Sequence, residues 1–216
     1  MSKYLDIKNY PLYLAGRIFF FLHLLFYLVL HPNHFKYILK FTGKSDGTFS
    51  NIPWFTYGAI NWLEKNLRKE MIGFEWGSGG STIFLSSRIR ELTSIEHSRE
   101  WYTEVSNKLK DAGVTNYNYN LIENDASFLE YSSFINKYPE NHFDIVIVDG
   151  ESRNECIGRA IGKTKPGGSI ILDNSERVEY KEGINLLSKW DQVHFYGPGP
   201  YNHYFWRTSV FKKPIK

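Results

Sequence analysis

Residues 71–81 read M-I-G-F-E-W-G-S-G-G-S, and that run leaves the chain few options besides a strand, a tight glycine turn and a helix start. Met71 to Trp76 is short and apolar with Glu75 near its end, and Thr82, Ile83, Phe84 and Leu85 resume a helical pattern. Gly77, Gly79 and Gly80 permit positive φ and let a ligand lie against bare backbone, while the free N–H groups of the following helix attract electron-rich groups. The stretch therefore suits a nucleotide-like ligand, the plain alternative being an ordinary strand-to-helix turn. The dinucleotide fingerprint G-x-G-x-x-G is met at Gly77 and Gly79, but its third glycine falls on Thr82.

Beyond this loop, strand and helix patterns alternate with short connections, which predicts an α/β fold with a doubly wound, mostly parallel sheet. Glu91 to Glu96 is the next strand and ends in I-E-H; Glu96 lies 21 residues after Glu75, where an acid can accept both hydroxyls of a ribose. Ser98 caps the next helix and Trp101 sits on its first turn. Asn116 to Asn120 alternates like a strand and leads to E-N-D-A, which puts Asp125 at a third strand tip or at a helix cap. Phe143 to Gly150, F-D-I-V-I-V-D-G, reads as a central strand buried on both faces, with Asp149 projecting into the crevice where such sheets bind ligands. A helix from about Arg153 to Thr164, a K-P-G-G turn, a fifth strand from Ser169 to Leu172 and the pair Asp173-Asn174 follow. Gln192 to Tyr196 and Tyr204 to Phe211 would form a closing hairpin.

The pattern E-x-G-x-G-x-S from Glu75 to Ser81 resembles motif I of the class I S-adenosylmethionine-dependent methyltransferases, and the strand tips extend the likeness from about Trp54 to Phe211. That resemblance implies a seven-stranded sheet with S-adenosylmethionine over it. Its amino-acid part would lie on Glu75, Gly77, Gly79 and Ser81, and its ribose on Glu96 beside His97. Its adenine would lie near Trp101, with Asp125 at the amino group and the Ala126 backbone at the ring edge. Asp149 with Asp173 and Asn174 is similar to the metal-binding set of the catechol and caffeoyl-coenzyme A type O-methyltransferases. An oxygen-only set suits Mg2+ or Mn2+, which would hold an acceptor hydroxyl and lower its pKa. The segment after Asp149, G-E-S-R-N-E-C, departs from those enzymes.

Charge is unevenly spread. Residues 1–44 carry Lys3, Lys8, Arg17, Lys36, Lys40 and Lys44 against Asp6, a net +5, and the other 20 basic and 22 acidic residues leave the remainder at −2. The same segment holds Ile18 to Leu30, apolar on every side but His23, bounded by Arg17 and His31-Pro32 and shorter than the roughly 20 residues of a span. It reads as a helix lying in an anionic membrane surface or, alternatively, one packing on the catalytic domain or a second subunit. Residues 42–51 read as a linker, and Pro53 as the first turn of a helix capped by Ser50 or Asn51, with Phe55, Ala59, Ile60 and Leu63 as its apolar stripe. Trp54 and Tyr57 are candidates for the pocket rim or for the core. The single cysteine, Cys156, rules out an internal disulfide, suits a reducing, cytoplasmic setting and reads as a small buried helix residue.

These features predict methyl transfer to an oxygen of a glycan, a lipid-linked sugar or a small-molecule hydroxyl, with Asp149 as base and His97, His194 and His203 as weaker candidates. A catalytic part at −2 without a basic stripe argues against a nucleic-acid partner. A nicotinamide-dependent oxidoreductase and a non-catalytic membrane-attached scaffold are the rivals; a serine hydrolase lacks its G-x-S-x-G, since the closing position is Ile83.

Overall fold

The computed structural model describes residues 10–37, 51–123, 127–200 and 204–215. Its centre is a sheet of seven strands: β1 (Ile72–Trp76), β2 (Glu91–Glu96), β3 (Tyr117–Leu121), β4 (Phe143–Val148), β5 (Thr164–Leu172), β6 (Asp191–Gly197) and β7 (Trp206–Lys212). Their order is β3-β2-β1-β4-β5-β7-β6, with the first five parallel and β7 antiparallel to both its neighbours. The doubly wound expectation is met, including the reversed closing hairpin.

The Ile/Val run of β4 shows why the sheet needs cover on both faces. Side chains alternate along a strand. Val146 and Val148 therefore enter one core with Phe74, Trp76 and Leu172, against Cys156, Ile157 and Ala160 of α5 (Arg153–Lys163). Ile145 and Ile147 enter the other with Ile171 and Val210, against Ile60 and Leu63 of α2 (Tyr57–Asn66) and Phe84 and Leu85 of α3 (Gly80–Ser86). Each such aliphatic side chain contributes roughly 1.5–3 kcal/mol on burial, so the central strands hold their register firmly. Cys156 is buried on its helix, as its sequence context suggests.

Two local expectations shift. Helix α2 starts at Tyr57 rather than at Pro53, because the preceding residues are drawn to the hairpin. The Tyr57 N–H donates to the Pro198 carbonyl (2.9 Å), the Thr56 N–H to Thr208 Oγ1 (3.1 Å) and the Thr56 hydroxyl to the Phe195 carbonyl (3.3 Å). The K-P-G-G stretch lies inside β5 as an irregularity, where pairing moves from Phe143–Thr164 to Ile145–Ser169 and Gly167 takes φ +77°.

The N-terminal helix α1 (Tyr10–Leu30) seats one face on the hairpin. Tyr27 is buried, so close to Gly197 that a Cβ there would lie 2.8 Å from the Tyr27 ring. Its hydroxyl bonds His34 Nδ1 at 2.8 Å. Just beyond, the Tyr37 hydroxyl donates to Glu64 (2.7 Å), the Tyr37 ring stacks on Tyr57 at 5.5 Å, and Lys36 pairs with Glu64. Tyr57 is thus a core residue, not part of the rim. Among the described residues no helix is long and apolar enough to cross a membrane.

Candidate functional site

The parallel register brings the C-terminal tips of β1, β2, β4 and β5 to one level. Trp76 lies opposite Ile95 and Val148, and Val148 opposite Leu172, so the residues that follow these partners meet along one edge. The Gly77 N–H donates to the Ile95 carbonyl and the Asp149 N–H to the Trp76 carbonyl, both at 3.0 Å. Gly77 has φ +85°, and a Cβ on it would lie 2.7 Å from the Gly150 nitrogen and 2.8 Å from the Asp149 carbonyl carbon. Only glycine allows that approach.

Glu75 is wholly buried beneath the loop. Its Oε1 accepts from the Ser94 hydroxyl (2.8 Å), while Oε2 has no hydrogen-bond partner among the described residues. Burial pushes its pKa up to about 7, opposed by the nearby hydroxyls of Thr82, Ser94 and Ser81 and reinforced by Asp149. An orphaned carboxylate oxygen under a glycine loop fits a ligand that brings a donor or a positive charge.

At the tip of β2, Glu96 is also buried, and its carboxylate holds the loop in place. Oε1 accepts from the N–H groups of His97 and Ser98 (both 2.9 Å), and Oε2 from the Ser78 N–H (3.1 Å) and hydroxyl (2.7 Å). Every ordinary lone-pair position is thus taken, and a ribose could reach Glu96 only if the Ser78 hydroxyl turned toward Tyr119, whose hydroxyl lies 2.6 Å away. Helix α4 (Arg99–Asp111) is capped as expected, Ser98 Oγ accepting from the Trp101 N–H, and the Trp101 indole donates to the Ser78 carbonyl at 2.6 Å. Ser78, which the sequence pattern does not single out, is the hub joining Glu96, Trp101 and Tyr119.

Asp149, Asp173 and Asn174 do come together, but not as a metal shell. Between the two acids lies Arg153, at the start of α5. Its Nη2 is 3.1 Å from Asp149 Oδ1, its Nε donates to the Gly150 carbonyl (2.8 Å), and its Nη1 and Nη2 donate to the carbonyls of Asp173 (2.8 Å) and Asp149 (2.9 Å). Asp173 Oδ1 accepts from the Trp206 indole (3.0 Å) and from the Thr208 hydroxyl. Burial pushes Asp173 up to about 8, with the Asp149 charge adding to it and the Thr208, Trp206 and Arg153 groups opposing it. Burial likewise raises Asp149, against Arg153 and Arg177. No group of three His, Cys, Asp or Glu among the described residues could hold a metal. Arg153 pairs with the Asp149 carboxylate, and Trp206 and Thr208 hold that of Asp173, so both acids already have protein partners where a cation was expected and the set Asp149, Asp173 and Asn174 is a poor fit for a metal.

The tips enclose a cleft of about 360 Å³ lined by Gly77, Ser78, Glu96, His97, Trp101 and Asp149, within the range of small-molecule sites. A smaller chamber of about 60 Å³ adjoins it between Trp54, Gly79, Ser81 and Asp149. Of the expected residues, Gly77, Gly79, Ser81, Glu96, His97, Trp101 and Asp149 line these chambers, Glu75 lies buried beneath the loop, and Trp54 joins them, its ring 6.2 Å from that of Trp101. His194 does not, bonding Ser209 within the hairpin at 2.7 Å. Asp125, Ala126 and His203 lie outside the described residues. Arg153 could have been found from its spacing, an arginine four residues after Asp149 at a helix start; Trp206 and Thr208 carry no such signal.

No family model and no curated protein matches this chain. Solved structures do match in fold. An rRNA methylase from Streptococcus thermophilus is 14% identical with a TM-score of 0.57 over 74% of this chain and 96% of its own. A Streptococcus mutans protein assigned as a methyltransferase, in complex with S-adenosylhomocysteine, is 16% identical (TM-score 0.53; 70% and 94%). An S-adenosylmethionine-dependent O-methyltransferase from Thermotoga maritima is 12% identical (TM-score 0.53; 73% and 64%). The chain has the class I methyltransferase fold. Those neighbours act on different acceptors, so the fold leaves the acceptor open.

Proposed function

We propose that this chain is an S-adenosylmethionine-dependent methyltransferase that acts on an oxygen of a glycan, a lipid-linked sugar or a small-molecule hydroxyl, working at a membrane surface on the cytoplasmic side. The observation that supports it best is the placement of acids around the glycine loop. Glu75, Glu96, Asp149 and Asp173 crowd the strand tips with Arg153 as the guanidinium among them. Burial keeps part of these acids protonated near neutral pH, and a ligand that brings ammonium and sulfonium charges would favour their ionised forms, an advantage a dinucleotide pyrophosphate lacks. This weighs against the nicotinamide reading more directly than Thr82 does.

S-Adenosylmethionine, when bound, supplies an activated methyl group. The loop and Glu75 would take its amino-acid part, the cleft between Glu96 and Trp101 its adenosine. Asp149 lines both chambers, and so stands where the two parts of the cofactor would join. The protein's work is then alignment and removal of the acceptor proton, and Asp149, raised by burial and 24% exposed, is the group placed to take it. Arg153 fixes the carboxylate's direction.

Calorimetric titration with S-adenosylhomocysteine and, in parallel, NADH tests the cofactor, repeated on Glu96→Ala. Binding of the homocysteine compound alone, weakened in the variant, is the expected result. NADH binding would overturn it, and binding without turnover on any glycan or lipid pool would favour the scaffold reading.

A further inference from the structure

A groove of about 460 Å³ lies between α1 and the closing hairpin. Phe19, Phe20 and Tyr27 form one wall and Tyr196, Tyr204 and Phe205 the other, with His23 and His31 as the polar members. The rings meet edge to face: Phe205 is 5.8 Å from Phe20, 6.0 Å from Tyr27 and 6.2 Å from His23. Phe205 of this wall immediately precedes Trp206, whose indole donates to Asp173.

Helix α1 carries two faces. Phe20, Leu24, Tyr27 and His31, at helical spacing, follow the side turned to the hairpin. Ile18, Leu22, Leu25 and Val29 form the opposite stripe and are open, from 47% at Leu25 to 77% at Val29, with Phe21 and Phe26 beside them. A continuous exposed apolar stripe of this kind marks an interaction surface. Residues 1–44 carry a net +5 in sequence, which selects the occupant, since an apolar helix within a basic segment complements an anionic lipid surface. That charge gives no such complementarity to a second copy of the same basic segment.

We propose that the outer stripe of α1 lies in an anionic membrane and that the aromatic groove takes the apolar chain of a membrane-borne anionic amphiphile, a prenyl or acyl phosphate carrying the acceptor. This rests on the methyl-transfer reading above and narrows its acceptor to lipid-linked compounds. An aromatic groove suits an acyl or prenyl chain, whose flexible carbons pack on rings without a hydrogen-bond demand.

The test uses the full chain, farnesyl phosphate as the soluble probe, inorganic phosphate as control, and vesicles of phosphatidylcholine with and without phosphatidylglycerol. Phe19→Ser and Tyr204→Ala alter exposed groove walls, and Val29→Ser alters only the outer stripe. Farnesyl phosphate is expected to bind and inorganic phosphate not to. Both groove variants should weaken that binding by about tenfold, equivalent to one aromatic contact, with S-adenosylhomocysteine binding unchanged. Val29→Ser should leave farnesyl phosphate binding intact and reduce capture by the anionic vesicles. Farnesyl phosphate binding that is absent, or indifferent to the groove variants, overturns the groove assignment while retained S-adenosylhomocysteine binding leaves the enzyme reading standing. A dimer broken by Val29→Ser, with no vesicle capture, overturns the membrane occupant.

Discussion

Glu75→Gln should make the protein more stable at alkaline pH while weakening its hold on the cofactor. The carboxyl is fully buried, and burial lifts its pKa from 4.5 to about 7. An acid whose folded pKa is raised favours folding while it is protonated, so its contribution is intact below pH 4.5 and is lost as pH rises through 7. At about 1.4 kcal/mol per pH unit the full loss is roughly 3 kcal/mol, of which about 2 kcal/mol falls between pH 5.5 and 8.5. For a chain of this size that is about 4–8 °C in Tm. Glutamine keeps the acceptor for the Ser94 hydroxyl and cannot ionise, so its amide adds no buried charge. Thermal unfolding at the two pH values, on wild type and variant, should show the wild type losing the larger margin. Calorimetry with S-adenosylmethionine should show weaker binding in the variant if the oxygen without a partner serves the ligand's positive end. Equal pH profiles for the two proteins would refute the buried-acid reasoning, and undiminished affinity would remove Glu75 from the ligand site.

Asp149→Ala should retain S-adenosylhomocysteine binding and lose methyl transfer on whatever acceptor proves active; retained turnover would take Asp149 out of the mechanism. Arg153→Met leaves Asp149 and Asp173 without their guanidinium and should destabilise the fold by about 3–5 kcal/mol, measured by urea unfolding. Because Arg153 stands where a cation was expected, chelation by EDTA should not change turnover, and Mn2+ should show no bound signal by electron paramagnetic resonance. A tight Mn2+ site lost in Asp173→Asn would contradict this. Gly77→Ala, with positive φ and a backbone 2.7 Å from the added carbon, should abolish cofactor binding or folding, read by circular dichroism and calorimetry.

Much of the site is legible along the chain because each part of it ends a strand. The Ile/Val run of β4, the glycines after Glu75 and the acid 21 residues later are local signals, set by side-chain period and backbone freedom. They identify Glu75, Glu96, Asp149 and Asp173 before any contact is known. The start of α2 was misplaced because the hydrogen bonds of Thr56 and Tyr57 come from a hairpin some 140 residues away, and no local propensity reports them. The metal set looked complete for the same reason: the spacing of acids says nothing about a guanidinium threaded between them.

The sequence by itself thus determined the alternation of strand and helix and the ligand loop, since periodicity and glycine placement act over a few residues, whereas the strand order and the two faces of α1 emerged only in the tertiary structure. The tertiary structure alone decided what each acid does. Glu96 spends its lone pairs on Ser78, His97 and Ser98, Asp173 on Trp206 and Thr208, and Asp149 on Arg153. The seating of α1 on the hairpin, which forms the aromatic groove, was also settled there. Such assignments depend on which donors distant segments bring to a buried carboxylate, and burial makes each unpaired oxygen too costly to leave to chance.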